Sequence, residues 1–128
     1  MKALLEYGLS EDNIMEIFNK YPSIKNIDDN EIKNKIYMLE YIGSSKRIIK
    51  NIIISNPEYL NRDISDIKDL INKLLSLKIQ RLDITFDSNP WLLNKDSYEI
   101  DEFIDNKVNS GMDYDDVIDL IDGGLIEW

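Results

Sequence analysis

With 128 residues, the chain has the length of one ordinary domain. Its content of 43% hydrophobic and 31% charged residues is typical of a folded protein rather than a disordered one. Cysteine and histidine are absent, which excludes disulfides and thiolate metal sites and removes the commonest general base and metal ligand. No glycine-rich phosphate loop or nucleophile elbow is present. We therefore predict no catalytic residue, no cofactor and no metal site, and we do not expect an enzyme.

The charge is unevenly distributed along the chain. The formal net charge is −10, yet residues 1–95 contain 14 basic and 14 acidic residues. Residues 96–128 contain one basic residue, Lys107, and 11 acidic ones. No apolar run reaches the length of a membrane span and no signal peptide opens the sequence, so we expect a cytoplasmic location and no membrane partner.

Proline marks a repeating unit. The three prolines recur at intervals of 35 and 33 residues: Pro22, Pro57 and Pro90. Gly8 and Gly43 are also 35 residues apart, and a fourth copy of the pattern begins at Gly111. Proline disrupts helix interiors, so its regular recurrence marks unit boundaries, and a period of 20–50 residues indicates stacked repeats.

Each repeat is predicted to contain two helices and a proline-headed turn. Apolar residues recur at helical spacing after Gly8, Gly43 and Gly111 and at the corresponding place in the third repeat: Ile14, Ile17 and Phe18, then Ile49, Ile52 and Ile53, then Leu82 and Phe86, then Val117, Leu120 and Ile121. The other helices carry Ile32, Ile36 and Leu39, then Ile67, Ile71 and Leu74, then Ile100, Ile104 and Val108. Ser10, Ser45 and Asp113 are predicted N-caps, and each proline is predicted to open a one-turn helix.

The predicted fold is therefore all-α. We expect a short α-solenoid of about three and a half helix–turn–helix repeats, because no unit can bury its apolar face without stacking on a neighbour. One helical-repeat domain is expected over residues 1–128, with repeats at about 1–25, 26–60, 61–95 and 96–128. Residues 82–86 alternate as a strand does, but the repeat alignment assigns them to a helix.

Two segments, residues 4–24 and 39–60, share the pattern Leu-x-x-x-Gly-(Leu/Ser)-Ser followed by an isoleucine-rich helix, and the second ends in Asn-Pro-x-x-Leu. This pattern resembles the repeat of the mitochondrial transcription termination factor (mTERF) family, and the likeness extends over most of the chain. The resemblance implies a left-handed α-solenoid whose concave face binds nucleic acid. That family lines its groove with Arg and Lys, whereas this chain has three arginines, Arg47, Arg62 and Arg81, and a negative charge that opposes phosphate binding.

Three groups of residues are candidates for binding. Asp113, Asp115, Asp116 and Asp119 crowd the last predicted helix. Their spacing does not match a twelve-residue calcium loop, and both a solvated helix face and an acidic docking face fit the pattern. Lys46, Arg47 and Lys50 form a basic edge at the start of a helix, which fits either a mixed-charge surface or a phosphate contact.

Trp91 is the third candidate. It follows the third proline at a position that Ser23 and Glu58 occupy in the earlier repeats. Because those residues are polar, Trp91 is predicted to be exposed, and the next residue in each repeat is predicted to be buried. Trp91 is then either a binding anchor or a cover for the hydrophobic end of the stack, and both interpretations stay open.

The preferred function is that of a small acidic helical-repeat protein that engages a partner protein with a basic surface, as an inhibitor, an immunity protein or a nucleic-acid mimic. The predicted partner-binding residues are Trp91, Asp113, Asp115, Asp116 and Asp119. The alternative is nucleic-acid binding through the repeat groove, as the resemblance implies, with Lys46, Arg47 and Lys50 in contact with phosphate. Self-association through the open ends of the array is a further alternative.

Overall fold

The computed structural model describes residues 2–126. Over that range the chain forms eight α-helices and three short 3-10 helices and contains no β-strand, which confirms the predicted all-α class. The backbone contacts divide the chain into two compact units, residues 1–62 and 63–128.

The first unit contains four α-helices and two 3-10 helices: α1 (Lys2–Tyr7), α2 (Glu11–Lys20), η1 (Pro22–Asn26), α3 (Asp29–Tyr41), α4 (Lys46–Ser55) and η2 (Pro57–Asn61). α1 packs on α3, α3 packs on α4, and η1 packs on η2. The core of this unit is formed by buried apolar residues that include Leu4, Ile14, Ile17, Ile24, Ile32, Leu39, Ile49, Ile53 and Leu60. These are largely the residues at helical spacing in the repeat pattern.

The second unit contains the remaining elements: α5 (Ile64–Ser76), α6 (Leu82–Ser88), η3 (Pro90–Asn94), α7 (Ser97–Asn109) and α8 (Tyr114–Asp122). α7 packs on α5 and on α8, and α8 also packs on α6. Residues 82–86 are helical, as the repeat alignment predicted, and α6 buries Leu82 and Phe86.

Each proline opens a 3-10 helix, which confirms the predicted one-turn helices. The residue two positions after each proline is fully buried: Ile24, Tyr59 and Leu92. Ser10 and Ser45 cap α2 and α4 by accepting hydrogen bonds from backbone N–H groups. The predicted cap at Asp113 is wrong in one respect, because its backbone carbonyl accepts from Val117 at 3.1 Å while its carboxylate forms no capping hydrogen bond.

One predicted core residue of α7 is also wrong. Val108 is 40% exposed. Counting 33 residues back aligns Val108 with the exposed Leu75 and aligns Lys107 with the fully buried Leu74. Lys107 is exposed as well, so the buried face of α7 ends at Ile104. The ammonium of Lys107 lies 5.7 Å from the ring centroid of Phe103.

The same type of backbone turn ends five of the described α-helices. In α3, Gly43 has a φ of 99°, its N–H donates to Glu40, and the N–H of Ser44 donates to Leu39, each at 3.0 Å. This is the hydrogen-bond pattern of a Schellman motif. The residues with positive φ are Gly8, Gly43, Lys78, Gly111 and Gly124. The first four keep the repeat period of 35, 35 and 33 residues.

Lys78 occupies the position that glycine holds in the other turns. Its φ is 67°, and its N–H donates to the carbonyl of Leu75 at 2.9 Å. A residue with a Cβ atom pays about 1–2 kcal/mol for the left-handed conformation. The sequence pattern did not identify this turn, because lysine carries no signal for it. The repeat requires a turn at this position, and Lys78 adopts the positive φ although lysine disfavours it.

Two buried hydrogen bonds connect α3 to η2. Lys35 is 5% exposed, and its Nζ donates to the carbonyl of Leu60 at 2.9 Å. The hydroxyl of the fully buried Tyr59 donates to the carbonyl of Lys35 at 2.7 Å. Burial raises the pKa of the Tyr59 hydroxyl far above its ordinary value. Leu70 and Phe103 stand at the position of Lys35 in the later repeats, so this polar connection is specific to the second repeat.

Replacing Lys78 by glycine is expected to raise the free energy of unfolding by about 1 kcal/mol, because glycine adopts a positive φ without a Cβ clash. Urea denaturation measures the change. Lys68→Gly in the interior of α5 is the matched control and is expected to lower stability by about 1 kcal/mol. If both variants are destabilised alike, the left-handed strain at Lys78 is disproved.

Tyr59→Phe is expected to lower stability by about 1 kcal/mol at neutral pH, through loss of one hydrogen bond. Because the folded protein holds the Tyr59 proton more tightly than the unfolded chain, this residue contributes stability below about pH 10 that is lost as the pH rises further. Urea denaturation between pH 8 and 11 should therefore show a shallower alkaline loss in Tyr59→Phe. Identical pH profiles for the two proteins would contradict the buried hydroxyl.

Candidate functional site

The basic edge, Lys46, Arg47 and Lys50, lies on the first five residues of α4. Ser45 caps this helix, Lys46 and Arg47 are exposed, and Lys50 is half-buried. Within residues 2–126, none of the three forms an ion pair with a carboxylate. The structure therefore brings together at one helix end the three cations that the sequence proposed for phosphate contact.

The basic edge packs against the turn that ends α1. The Nζ of Lys46 lies 5.3 Å from the ring centroid of Tyr7, a cation–π distance. A Cβ atom at Gly8 would lie 3.4 Å from Cε of Lys46 and 3.8 Å from Cδ of Lys50. The stems of both lysines are thus supported by the first repeat. Sequence reasoning missed Tyr7 because it is 39 positions from Lys46.

The charge of the basic edge is unusual for this repeat. The corresponding first turns are acidic in α2, with Glu11 and Asp12, and in α8, with Asp115 and Asp116. Acidic residues suit a helix N-terminus because they complement the helix dipole, whereas each cation there costs about 0.3–1 kcal/mol. Helix stability therefore does not account for the basic first turn of α4.

Ser44, just before α4, is a second departure in the same turn. It is buried, and within the described part of the chain its hydroxyl has no hydrogen-bond partner. The corresponding residues in the other repeats are Leu9, Ile79 and Met112. An unpaired buried hydroxyl costs about 1–3 kcal/mol. The start of α4 thus has two features that reduce stability.

The predicted acidic residues, Asp113, Asp115, Asp116 and Asp119, are all exposed on α8 or at its N-cap. None of them pairs with a lysine or arginine among residues 2–126. Over that same range, no group of carboxylates is arranged to hold a metal ion. The acidic face is therefore solvated and open to a partner.

The two units differ sharply in charge. Residues 1–62 contain nine basic and nine acidic residues, whereas residues 63–128 contain six basic and 16 acidic ones. The basic edge therefore belongs to a unit with no net charge. The whole net charge of −10 belongs to the other unit.

Trp91 lies in η3 and is 55% exposed, as the comparison with Ser23 and Glu58 predicted. It adjoins a junction between residues 85–89 and 122–126. There the Oγ1 of Thr85 donates to the carbonyl of Asp122 at 2.8 Å, and the Nδ2 of Asn89 donates to the carbonyl of Ile126 at 3.4 Å. We call this contact the α6–α8 junction.

The α6–α8 junction is at the C-terminal end of α8. Asp113, Asp115 and Asp116 lie at the opposite end of this nine-residue helix, which is about 13 Å long. The structure therefore does not gather the predicted partner-binding residues at one point. Asp119 lies one turn from the junction, and the other three carboxylates are farther along the helix.

Gly124 allows the close approach at the α6–α8 junction. It has a φ of 71°, and a Cβ atom there would lie 2.8 Å from the Cβ of Ser88. At Gly43, by contrast, a Cβ atom would meet nothing within 4 Å. The sequence pattern gave no sign of this contact.

Gly124→Ala is expected to cost more stability than Gly43→Ala. Gly43→Ala should lower the free energy of unfolding by about 1–2 kcal/mol through backbone strain alone. Gly124→Ala adds a steric overlap that costs about 1–3 kcal/mol more. Thermal and urea denaturation measure both variants, and equal losses would show that the close contact with Ser88 is not tight.

The sequence model of the mTERF family matches residues 1–121. This match agrees with the helical repeats of the structure and confirms the predicted resemblance. Comparisons with curated proteins and with solved structures give no match. Among residues 2–126, no helix combines the length and apolarity needed to cross a membrane.

Proposed function

Because the chain belongs to the mTERF family of helical-repeat proteins, we propose that it binds nucleic acid through the basic edge of α4. Family membership over residues 1–121 is the observation that carries this proposal, since that family typically binds nucleic acids. The phosphate backbone supplies most of the affinity in such binding, and lysine and arginine are the side chains that neutralise it. Lys46, Arg47 and Lys50 are the residues of this chain suited to that contact.

The distribution of charge supports the proposal. The sequence suggested that a net charge of −10 opposes phosphate binding, but that charge belongs to residues 63–128. The unit that contains the basic edge has no net charge, so its own charge does not oppose a phosphate at α4.

The cost of the basic edge also supports the proposal. Two cations in the first turn oppose the helix dipole, and the neighbouring Ser44 hydroxyl is buried without a partner among the described residues. Natural proteins accept such local costs mainly where binding requires them. A phosphate at this helix end would also complement the helix dipole, whose positive end favours anions.

Changing Lys46, Arg47 and Lys50 together to glutamine should weaken binding to a mixed-sequence DNA duplex. The slope of log affinity against log salt should fall by about 0.9 for each phosphate that the variant no longer neutralises, or about 2–3 in all. Fluorescence anisotropy at several salt concentrations measures both quantities. Lys68→Gln with Lys107→Gln, which alters two exposed cations of the other unit, is the matched control and should change neither. Failure of the unchanged protein to bind duplex or single strand at low salt would reject the proposal.

A partner protein with a basic surface is the second candidate. The exposed carboxylates of α8 favour it, because complementary charge accelerates encounter. An inhibitory, immunity or nucleic-acid-mimic role belongs to this candidate. These carboxylates and Trp91 are the residues proposed for the contact.

Asp115→Asn, Asp116→Asn and Asp119→Asn together should slow association with a basic partner several-fold and leave the fold unchanged. The partner is recovered by affinity capture from the host, and association is followed by stopped-flow fluorescence, with circular dichroism as the check on folding. The control is Asp12→Asn with Glu16→Gln on α2. Unchanged association of the α8 variant would remove this candidate.

A further inference from the structure

We propose that Trp91 and Leu125 anchor a basic peptide segment of a partner protein at the α6–α8 junction, with Asp87, Asp119 and Asp122 providing the charge around it. The inference rests on the second candidate function and locates the binding site for the basic partner. It involves neither the basic edge of α4 nor the three carboxylates at the far end of α8.

Two large apolar side chains are exposed beside this junction. Trp91 is 55% exposed and Leu125 is 68% exposed. The backbone at both positions is well fixed. Leu92 and Leu93, directly after Trp91, are fully buried, and the N–H of Leu125 donates to the carbonyl of Leu120 at 2.9 Å. Residues on a fixed backbone lose less entropy on binding than residues of a mobile loop.

The close approach at Gly124 brings together the two chain segments that carry Trp91 and Leu125. Gly124 lies against Ser88 and Asn89, and Ile126 accepts the hydrogen bond from Asn89. Trp91 is therefore two residues from one side of the contact, and Leu125 belongs to the other side. The sequence separates them by 34 positions, and only the fold of the second unit brings their chain segments together.

Folding does not account for the exposure of these side chains. Polar residues, Ser23 and Glu58, occupy the position of Trp91 in the other proline-headed turns, and they are also exposed. Proline holds the position of Leu125 in the first three repeats. An exposed tryptophan where the repeat tolerates serine points to binding, since tryptophan is enriched among the residues that dominate interface energies.

The surrounding charge identifies the occupant. Asp87 directly precedes Ser88, Asp122 directly precedes the turn at Gly123–Gly124, and Asp119 lies one turn earlier. All three are exposed, in a unit with 16 acidic and six basic residues. This surface repels nucleic acid, and it also repels a second copy of itself, because a two-fold contact would place carboxylates opposite carboxylates. A basic segment that carries apolar side chains fits both features.

The test uses a synthetic 15-residue peptide of lysine and leucine as the probe. Two control peptides carry glutamate in place of lysine or serine in place of leucine. In a Trp128→Phe background, Trp91 is the sole tryptophan. Its emission should shift to shorter wavelength with the lysine–leucine peptide and stay constant with both controls.

Substitutions test which side chains form the peptide-binding site. With a fluorescently labelled peptide, Trp91→Ser, which restores the residue of the first repeat, should weaken binding at least about tenfold, and Leu125→Ser several-fold. Asp87→Asn with Asp119→Asn should weaken binding and reduce its salt dependence. The matched control is Tyr98→Ser, which removes another exposed aromatic residue of the same unit and should leave the affinity unchanged.

Each contrary result has a distinct meaning. If Tyr98→Ser weakens binding as much as Trp91→Ser, the proposed site is wrong. A Trp91 shift caused by a DNA oligonucleotide, or by protein concentration alone, would overturn the peptide as occupant. If the substitutions at Asp115, Asp116 and Asp119 weaken peptide binding while Trp91→Ser does not, the basic-partner function is supported but the proposed site is wrong. If the lysine–leucine peptide does not bind, the proposed site is wrong, while the basic-partner function is still tested by the captured partner.

Discussion

The left-handed turn at the end of each repeat's first helix sets where the next helix begins. The chain must reverse there within a few residues, so one residue takes a positive φ and two N–H groups close on the last helical carbonyls. The turn recurs every 33–35 residues and starts the next helix in the same register. The period is kept even at Lys78, where the residue type opposes it. The buried residues after each proline then complete the repeat.

The repeats differ in the side chains that lie in this turn and at the start of the helix that follows it. Before α4 it carries a buried serine, whose hydroxyl has no partner among residues 2–126, and leads into the basic edge, supported by Tyr7 and Gly8. Before α8 it leads into an acidic first turn. A turn fixed by the backbone can present different side chains without disturbing the packing of its helices. Function in this protein is therefore best sought in departures from the repeat, and the two strongest departures carry opposite charge.

Much of the fold follows from residues whose conformational preferences are strong. The prolines, the glycines and the Ser10 and Ser45 caps located the helix ends, and helical spacing located most of the core. Val108 was wrongly assigned to the core, because helical spacing continues to that position whereas the buried face of α7 ends at Ile104. Lys78, the Lys35–Tyr59 connection and the support of Lys46 by Tyr7 could not be predicted, since each depends on contacts between distant segments. The α6–α8 junction was missed for the same reason.

Binding of nucleic acid at the start of α4, in a unit without net charge, can be followed residue by residue. In a titration of the ¹⁵N-labelled protein with a short DNA duplex, each backbone amide reports its own surroundings. We expect the largest shifts at residues 45–50 and at Tyr7 and Gly8, with little change in α8. Shifts confined to residues 84–91 and 113–125, or no shift at low salt, would contradict it.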